Sequence, residues 1–140
     1  MVLIVGASGN VGPALARLLL QRGTAFRTAC QVPKTSGTGK LQCDVQLDFS
    51  DPATFNAALD GCDAVFLVRP PAISNTRKTL KIFVDVSRRT GIRHIVFLSV
   101  VGADKHAWVP HPAVENHLRA GVLDWTILRP SFVAQNLGNA

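Results

Sequence analysis

The segment that most constrains the fold is the first 23 residues, MVLIVGASGNVGPALARLLLQRG. Residues 2–5 form a short, wholly apolar run, which is typical of a strand buried on both faces of a parallel sheet. A glycine-rich turn follows at once, then apolar residues at helical spacing, and Gly23 supplies a stop. The apolar side of this predicted helix consists of Val11, Leu15, Leu18 and Leu19. The segment therefore predicts a strand, a turn and a helix in direct succession.

The same segment does not resemble an export signal, because its first charge is Arg17 and glycine and polar residues interrupt the apolar run. No other part of the sequence runs for about eighteen apolar residues without a charge, so no membrane-spanning helix is predicted. From the sequence we therefore expect a cytoplasmic protein with no membrane partner.

Cysteine and histidine spacing predicts neither a disulfide framework nor a metal site. Cys30, Cys43 and Cys62 are odd in number and form no close pair, which favours reduced thiols. The four histidines show no ligand spacing such as HExxH, so no metal is expected.

The net charge of +6 raises the question of nucleic-acid binding. The basic residues are spread along the chain, however, and the densest group lies on the predicted helix 75–90, where a solvated face accounts for it. We expect no nucleic-acid partner, but a local preference for an anionic ligand.

The remaining sequence repeats the alternation of strands with helices or links, within a single predicted domain over residues 1–140. Further strands are predicted at 24–30, 43–48, 63–68, 94–100 and 124–130, with helices at 51–61, 75–90 and 111–120 and a polar link at 31–42. This pattern predicts a doubly wound parallel α/β fold of Rossmann type, with about six strands and helices on both faces of the sheet.

Gly6, Gly9 and Gly12 form a G-x-x-G-x-x-G pattern between the first strand and the first helix. Glycines there let the backbone approach a diphosphate, which then meets the free N–H groups and positive dipole end of the helix. An acidic residue about 20 positions further on would hold the ribose of NAD, but the second strand ends without one and Lys34 follows. NADP is therefore favoured as the cofactor, and NAD stays open.

Four segments carry a resemblance to a known family: GASGNVG, LDFSDPATFNAALDGCDAVFLVRPP, IRHIVFLSVVGAD and HPAVENHLRAGVLDWTILRPSFVAQNL. Together, and in this order, they resemble the NmrA-like branch of the atypical short-chain dehydrogenases/reductases. The resemblance implies that the phosphates are held by Gly6, Ser8, Gly9, Asn10, Val11 and Gly12. It implies that the rest of the cofactor is bordered by Asp48 and Phe49 at the adenine, by Val68, Arg69 and Pro70 near the nicotinamide ribose, and by Ser99, Val100 and Val101 beside the nicotinamide.

Two features depart from that family. Members often have Arg where Gln31 stands, as a clamp for the 2′-phosphate, so Gln31 and Lys34 are the candidates here for that end of the cofactor. Members also usually continue beyond RPSFVAQNL into a smaller lobe that covers the substrate. The chain, which lacks this C-terminal lobe, is expected to be either a fragment or a reduced form with an open cleft.

The sequence contains no tyrosine, so the Tyr–Lys mechanism of standard short-chain reductases is excluded. A quinone accepts hydride with less help from a protein acid, and the resemblance includes quinone reductases. Ser99, at the end of a strand, is the candidate donor to a carbonyl oxygen, although such a serine often bonds only backbone. His111 opens the helix ahead of Glu115 and is the second catalytic candidate, as a residue that orients substrate or relays a proton.

Some neighbouring residues are given weaker roles. Glu115 is interpreted as a solvated partner, and His111 itself can also serve only to stabilise the helix start. Lys105 and His106 are placed in a loop over the cleft, and Phe97 and Trp125 in the core.

Two functions remain open from the sequence. The first is an oxidoreductase that transfers hydride from NADPH to a quinone or a similar small carbonyl acceptor. The second is a non-catalytic protein that senses NAD(P) and acts through a protein partner.

Overall fold

The structure is a computed structural model and describes residues 1–32, 43–105 and 109–131. Within these ranges six strands form one sheet: β1 (Val2–Val5), β2 (Phe26–Cys30), β3 (Val45–Gln46), β4 (Ala64–Val68), β5 (His94–Leu98) and β6 (Asp124–Leu128). All neighbouring strands are parallel, and their order is β3-β2-β1-β4-β5-β6. The predicted doubly wound Rossmann fold is confirmed, and the strand order reverses between β1 and β4, where such sheets open a crevice at their carboxyl edge.

Four α-helices lie in the same described ranges: α1 (Gly12–Gln21), α2 (Ala53–Leu59), α3 (Leu80–Arg89) and α4 (His111–Arg119). The predicted helix 75–90 is two elements, because a 3₁₀ turn over Thr76–Lys78 precedes α3. Most strands are shorter than predicted, β3 above all, which pairs with β2 over Val45 and Gln46 in the described residues.

Helices cover both faces of the sheet, as predicted. On one face α2, α3 and α4 bring Phe55, Phe83 and Leu118 into the larger core. On the other face α1 packs through Ala16 against Ile4 of β1. Burying such side chains stabilises the fold by roughly 1.5–3 kcal/mol each relative to leaving them exposed.

The prediction that Leu18 faces the core is wrong, since 53% of its surface is exposed. Helix α1 touches the sheet along the line of Leu15 and Leu19, and Leu18 lies to one side of that line. Apolar spacing identified the helix but not the width of its buried stripe.

Phe97 is fully buried, as predicted, whereas the core assignment of Trp125 is wrong. Trp125 is 40% exposed because β6 is the edge strand of the sheet. Its ring packs under the guanidinium of Arg119, whose Cζ lies 5.7 Å from the ring centroid.

Cys30 and Cys43 are joined by a disulfide bond, so the prediction of reduced thiols is wrong for this pair. Parallel pairing of β2 with β3 brings their Cα atoms to 5.9 Å, within the range that a disulfide spans. A sequence separation of 13 gave no sign of this contact. Cys62 is a free, buried thiol, as predicted.

In residues 1–32, 43–105 and 109–131 no helix is long and apolar enough to cross a membrane. In the same part of the chain, no three His, Cys, Asp or Glu side chains are grouped as they would be around a metal ion.

Candidate functional site

A cavity of 1090 Å³ opens at the carboxyl edge of the sheet. The predicted site residues that line it are Gly6, Ser8, Gly9, Asn10, Val11, Gly12, Gln31, Asp48, Phe49, Val68, Arg69, Pro70, Ser99, Val100, Val101 and His111. Lys34 and His106 lie outside the described residues. Lys105 is exposed on a second 3₁₀ turn, Ala103–Lys105, and does not line the cavity.

The glycine corner, residues 6–12, is closed by a hydrogen bond from the Gly9 N–H to the Gly6 carbonyl at 3.0 Å. Gly6 has a φ of +83°, and a Cβ there would lie 3.1 Å from the Val68 Cβ. A Cβ on Gly12 would lie only 2.7 Å from the Cα of Ala7. The absence of side chains at these positions is therefore a steric requirement of the corner.

Helix α1 begins at this corner and points its amino end into the cavity. The preceding residue is Val11, whose apolar side chain accepts no hydrogen bond from the first turn. The N–H groups of that turn and the positive end of the helix dipole favour an anion such as a diphosphate.

The residues at the predicted adenosine end of the cavity, here called the adenosine wall, are Gln31 and Asp48–Ser50, and they lie where β2 and β3 end. The Gln31 Nε2 donates to the Asp48 Oδ2 at 3.5 Å, which links the two strand ends. Ser50 donates to the Asp48 Oδ1 through its hydroxyl at 2.6 Å and its backbone N–H at 2.9 Å. These hydrogen bonds from Ser50 lower the pKa of Asp48 below its ordinary value.

At the other end of the cavity Ser99 follows β5 and is 2% exposed. Its hydroxyl donates to the Glu115 Oε1 at 2.5 Å, so it bonds a carboxylate and not the backbone alone. The interpretation of Glu115 as a solvated partner is wrong, because Glu115 is 1% exposed. Two arginines close around its carboxylate: the Arg129 Nε donates to Oε1 at 3.0 Å and Nη2 donates to Oε2, while the Arg119 Nη2 donates to Oε2 at 3.1 Å.

Glu115 remains ionised in this environment. Burial by itself raises its pKa, but hydrogen bonds from Arg129 and Ser99 and the charges of both arginines outweigh burial, so the pKa lies below its ordinary value. An ionised carboxylate only accepts hydrogen bonds, so the single hydroxyl proton of Ser99 is committed to Glu115. The Ser99 oxygen therefore acts towards the cavity as an acceptor.

His111 is the first residue of α4, and Arg69 contacts it from the loop after β4. The Arg69 Nε donates to the His111 Nε2 at 3.4 Å, so the neutral ring is inferred to carry its proton on Nδ1. This Nδ1 is buried and has no hydrogen-bond partner among the residues that the structure describes. Burial, and then the charge of Arg69, lowers the pKa of His111. Arg69 also donates through Nη1 to the carbonyls of Pro70, Pro71 and Ile73, and so shapes the loop that lines the cavity.

Each part of the cavity wall thus follows a different strand. The glycine corner follows β1, the adenosine wall follows β2 and β3, Arg69 follows β4 and Ser99 follows β5. A family model described as NAD(P)H-binding matches residues 6–139 of this chain. The chain belongs to this NAD(P)H-binding family. The resemblance to NmrA-like atypical short-chain reductases, and the prediction of a nicotinamide dinucleotide cofactor, are confirmed at this level.

Individual relatives cover nearly all of this chain. NAD(P)H azoreductase of Xenophilus azovorans is 28% identical over 98% of the chain and 50% of its own length. Prestalk A differentiation protein A of Dictyostelium discoideum is 30% identical over 96% of the chain and 46% of its own length. The chain therefore spans about half the length of these relatives.

Solved structures support the fold. A triphenylmethane reductase of Citrobacter sp., complexed with NADP(H), superposes with a TM-score of 0.81 at 18% identity, over 97% of this chain and 51% of that one. An NADPH-dependent quinone oxidoreductase of Escherichia coli, complexed with NADPH, superposes with a TM-score of 0.79 at 19% identity, over 97% and 50%.

Three features of the site were not predicted from the sequence. They are the two arginines around Glu115, the disulfide beside Gln31 and the hydrogen bonds from Arg69 to the carbonyls of its own loop. Only the first left a signal, because Arg119 follows Glu115 by four residues, the spacing of an intrahelical ion pair.

Proposed function

We propose that this chain forms the cofactor-binding part of an NADPH-dependent oxidoreductase that delivers hydride to a quinone or a similar conjugated acceptor. The observation that carries the proposal is the single cavity that joins the glycine corner, the adenosine wall and the Ser99–Glu115 pair. The azoreductase, quinone and dye reductases named among the similar proteins support an acceptor of this class.

The residues present fit a nicotinamide dinucleotide. The glycine corner offers main-chain N–H groups and a helix amino end to the diphosphate. Gln31 replaces the carboxylate that would repel a 2′-phosphate, and this favours NADPH over NADH. When bound, the cofactor supplies the hydride, and the protein supplies position and polarity.

The Ser99–Glu115 pair narrows the class of acceptor. Because the hydroxyl proton of Ser99 is committed to Glu115, Ser99 accepts a hydrogen bond from an N–H or O–H group in the cavity. A site of this kind suits acceptors that spread the developing negative charge over a conjugated system, as quinones and dyes do.

In this proposal His111 acts through Arg69. Its lowered pKa keeps the ring neutral near pH 7, so its Nε2 stays available as the acceptor that orients the Arg69 guanidinium. Arg69 in turn fixes the Pro70–Ile73 loop at the nicotinamide end.

We expect NADPH to bind more tightly than NADH, by about tenfold or on the order of 1.4 kcal/mol, because Gln31 neither holds the ribose of NADH as a carboxylate would nor repels a 2′-phosphate. Side-by-side calorimetric titrations measure both affinities. Equal or tighter binding of NADH would remove the NADP assignment, and failure of both to bind would remove the proposed function.

We expect the protein to consume NADPH when a soluble quinone is present, and Ser99→Ala to lower kcat/KM about threefold to tenfold through loss of one hydrogen bond. Absorbance at the NADPH band measures the rate. Ser74→Ala is the matched control, because Ser74 is exposed and does not line the cavity. NADPH binding without consumption by any acceptor of this class would instead support the sensing function.

A further inference from the structure

The Cys30–Cys43 bond lies at the adenosine wall. Cys30 is the last residue of β2 and lines the cavity, and Gln31 follows it directly. Cys43 precedes β3, the strand that leads into Asp48. The bond therefore joins the two strand ends that together form this wall.

Strand β3 is a short edge strand. In the described chain its ladder with β2 consists of Val45 and Gln46. The Leu47 N–H extends this ladder by donating to the Cys30 carbonyl at 2.8 Å. Asp44 adds a second anchor, since the N–H and the hydroxyl of Thr28 both donate to its Oδ2 at 2.8 Å. A covalent bond beside so short a ladder restricts how far β3, and with it Asp48, can move relative to β2.

The two bonded cysteines are accessible, whereas the third is not. Cys30 and Cys43 are both partly exposed. Cys62 is 6% exposed, and burial raises the pKa of its thiol, which disfavours the reactive thiolate. Because Cys30 also lines the cavity, we expect a small thiol to reach the disulfide there while Cys62 stays unreactive.

We propose that Cys30 and Cys43 form a thiol–disulfide exchange site for a low-molecular-weight thiol, and that their oxidised state tightens the adenosine end of the cofactor site. A thiolate attacks one sulfur of the bond, which gives a mixed disulfide and one protein thiolate. A second thiol then attacks the small-molecule sulfur of this mixed disulfide and releases the protein sulfur as a thiolate, so that two thiols become one small-molecule disulfide and the protein gains two electrons and two protons as two thiols. Without the bond, β3 is held by its short ladder, by the Leu47 hydrogen bond to the Cys30 carbonyl and by Asp44, and the wall is less well ordered for binding. The inference rests on the proposed binding of NADPH.

The test compares the air-oxidised protein with the same protein reduced by glutathione, with the thiols counted by maleimide labelling and mass spectrometry. Calorimetry measures the affinity for NADPH and for 2′,5′-ADP, which represents the adenosine end alone. We expect reduction to weaken both by about tenfold, the effect of losing one well-placed contact. Cys43→Ser is expected to bind like the reduced protein and to ignore glutathione, whereas Cys62→Ser keeps the full response.

The outcomes separate the two proposals. If glutathione leaves the bond intact, or if reduction is complete and both affinities are unchanged, the exchange site is overturned and NADPH binding stands. If neither redox form binds NADPH, the proposed function fails and this inference fails with it. Reduced wild-type protein needs no substitution, so a Cys43→Ser variant that does not fold leaves the test intact.

Discussion

Gly12→Ala is expected to abolish measurable NADPH binding. The added Cβ would lie 2.7 Å from the Cα of Ala7, and backbone atoms on both sides of it cannot yield as a side chain would. The start of α1 must then move away from the glycine corner, which separates the N–H groups that hold the diphosphate. We expect overpacking to cost about 3 kcal/mol of stability, and a loss of the same size in binding corresponds to a hundredfold or more in affinity, roughly. Calorimetry with NADPH and denaturant unfolding measure the two effects.

Gly23→Ala is the matched control at the other end of α1. Gly23 has a φ of +65°, so alanine there is strained by about 1–2 kcal/mol. Apart from its chain neighbours, no atom of the described residues lies within 4 Å of the added Cβ, and Gly23 does not line the cavity, so NADPH affinity should not change. Wild-type affinity in Gly12→Ala would show that the phosphates bind elsewhere.

Glu115→Gln is expected to lower the free energy of unfolding by about 3 kcal/mol, because it leaves Arg129 and Arg119 facing a neutral amide in a buried site. It also replaces the charged acceptor of the Ser99 hydroxyl with a neutral amide, which weakens that hydrogen bond, so the rate of NADPH oxidation should fall with it. Denaturant unfolding measures the stability, and the exposed carboxylate variant Asp124→Asn, which should change it by less than about 0.5 kcal/mol, is the control.

The stability should also respond to pH through this carboxylate. Because the pKa of Glu115 in the folded protein lies below its ordinary value of 4.5, its stabilising contribution is complete above that value and is lost as the pH falls through the folded pKa. Glu115→Gln should therefore flatten the acid limb of the stability profile. An unchanged acid limb would mean that Glu115 is already protonated in the native protein.

The alternation of strands and helices could be predicted from the sequence because buried parallel strands are short, apolar and separated by turn residues. The glycine corner could also be predicted, because Gly6 and Gly12 meet a steric requirement that is local to one turn. The predicted cofactor residues within the described chain all reach the cavity, because parallel strands end at one edge of the sheet.

Features that depend on which elements become neighbours could not be predicted. Cys30 meets Cys43 only because β3 pairs with β2. Glu115 is buried only because Arg129 follows β6 into its vicinity, 14 residues away in sequence. Trp125 is exposed because β6 is an edge strand, and the position of a strand in the sheet cannot be predicted from the hydrophobicity of that strand alone.

The division of the cavity among separate strands makes its parts independently adjustable. We expect replacement of Gln31, which follows β2, to change the preferred dinucleotide while Ser99, which follows β5, keeps its partner Glu115 on α4. Substitutions that change the preferred reductant and substitutions that change the preferred acceptor should therefore be separable, and neither should require a change in the glycine corner.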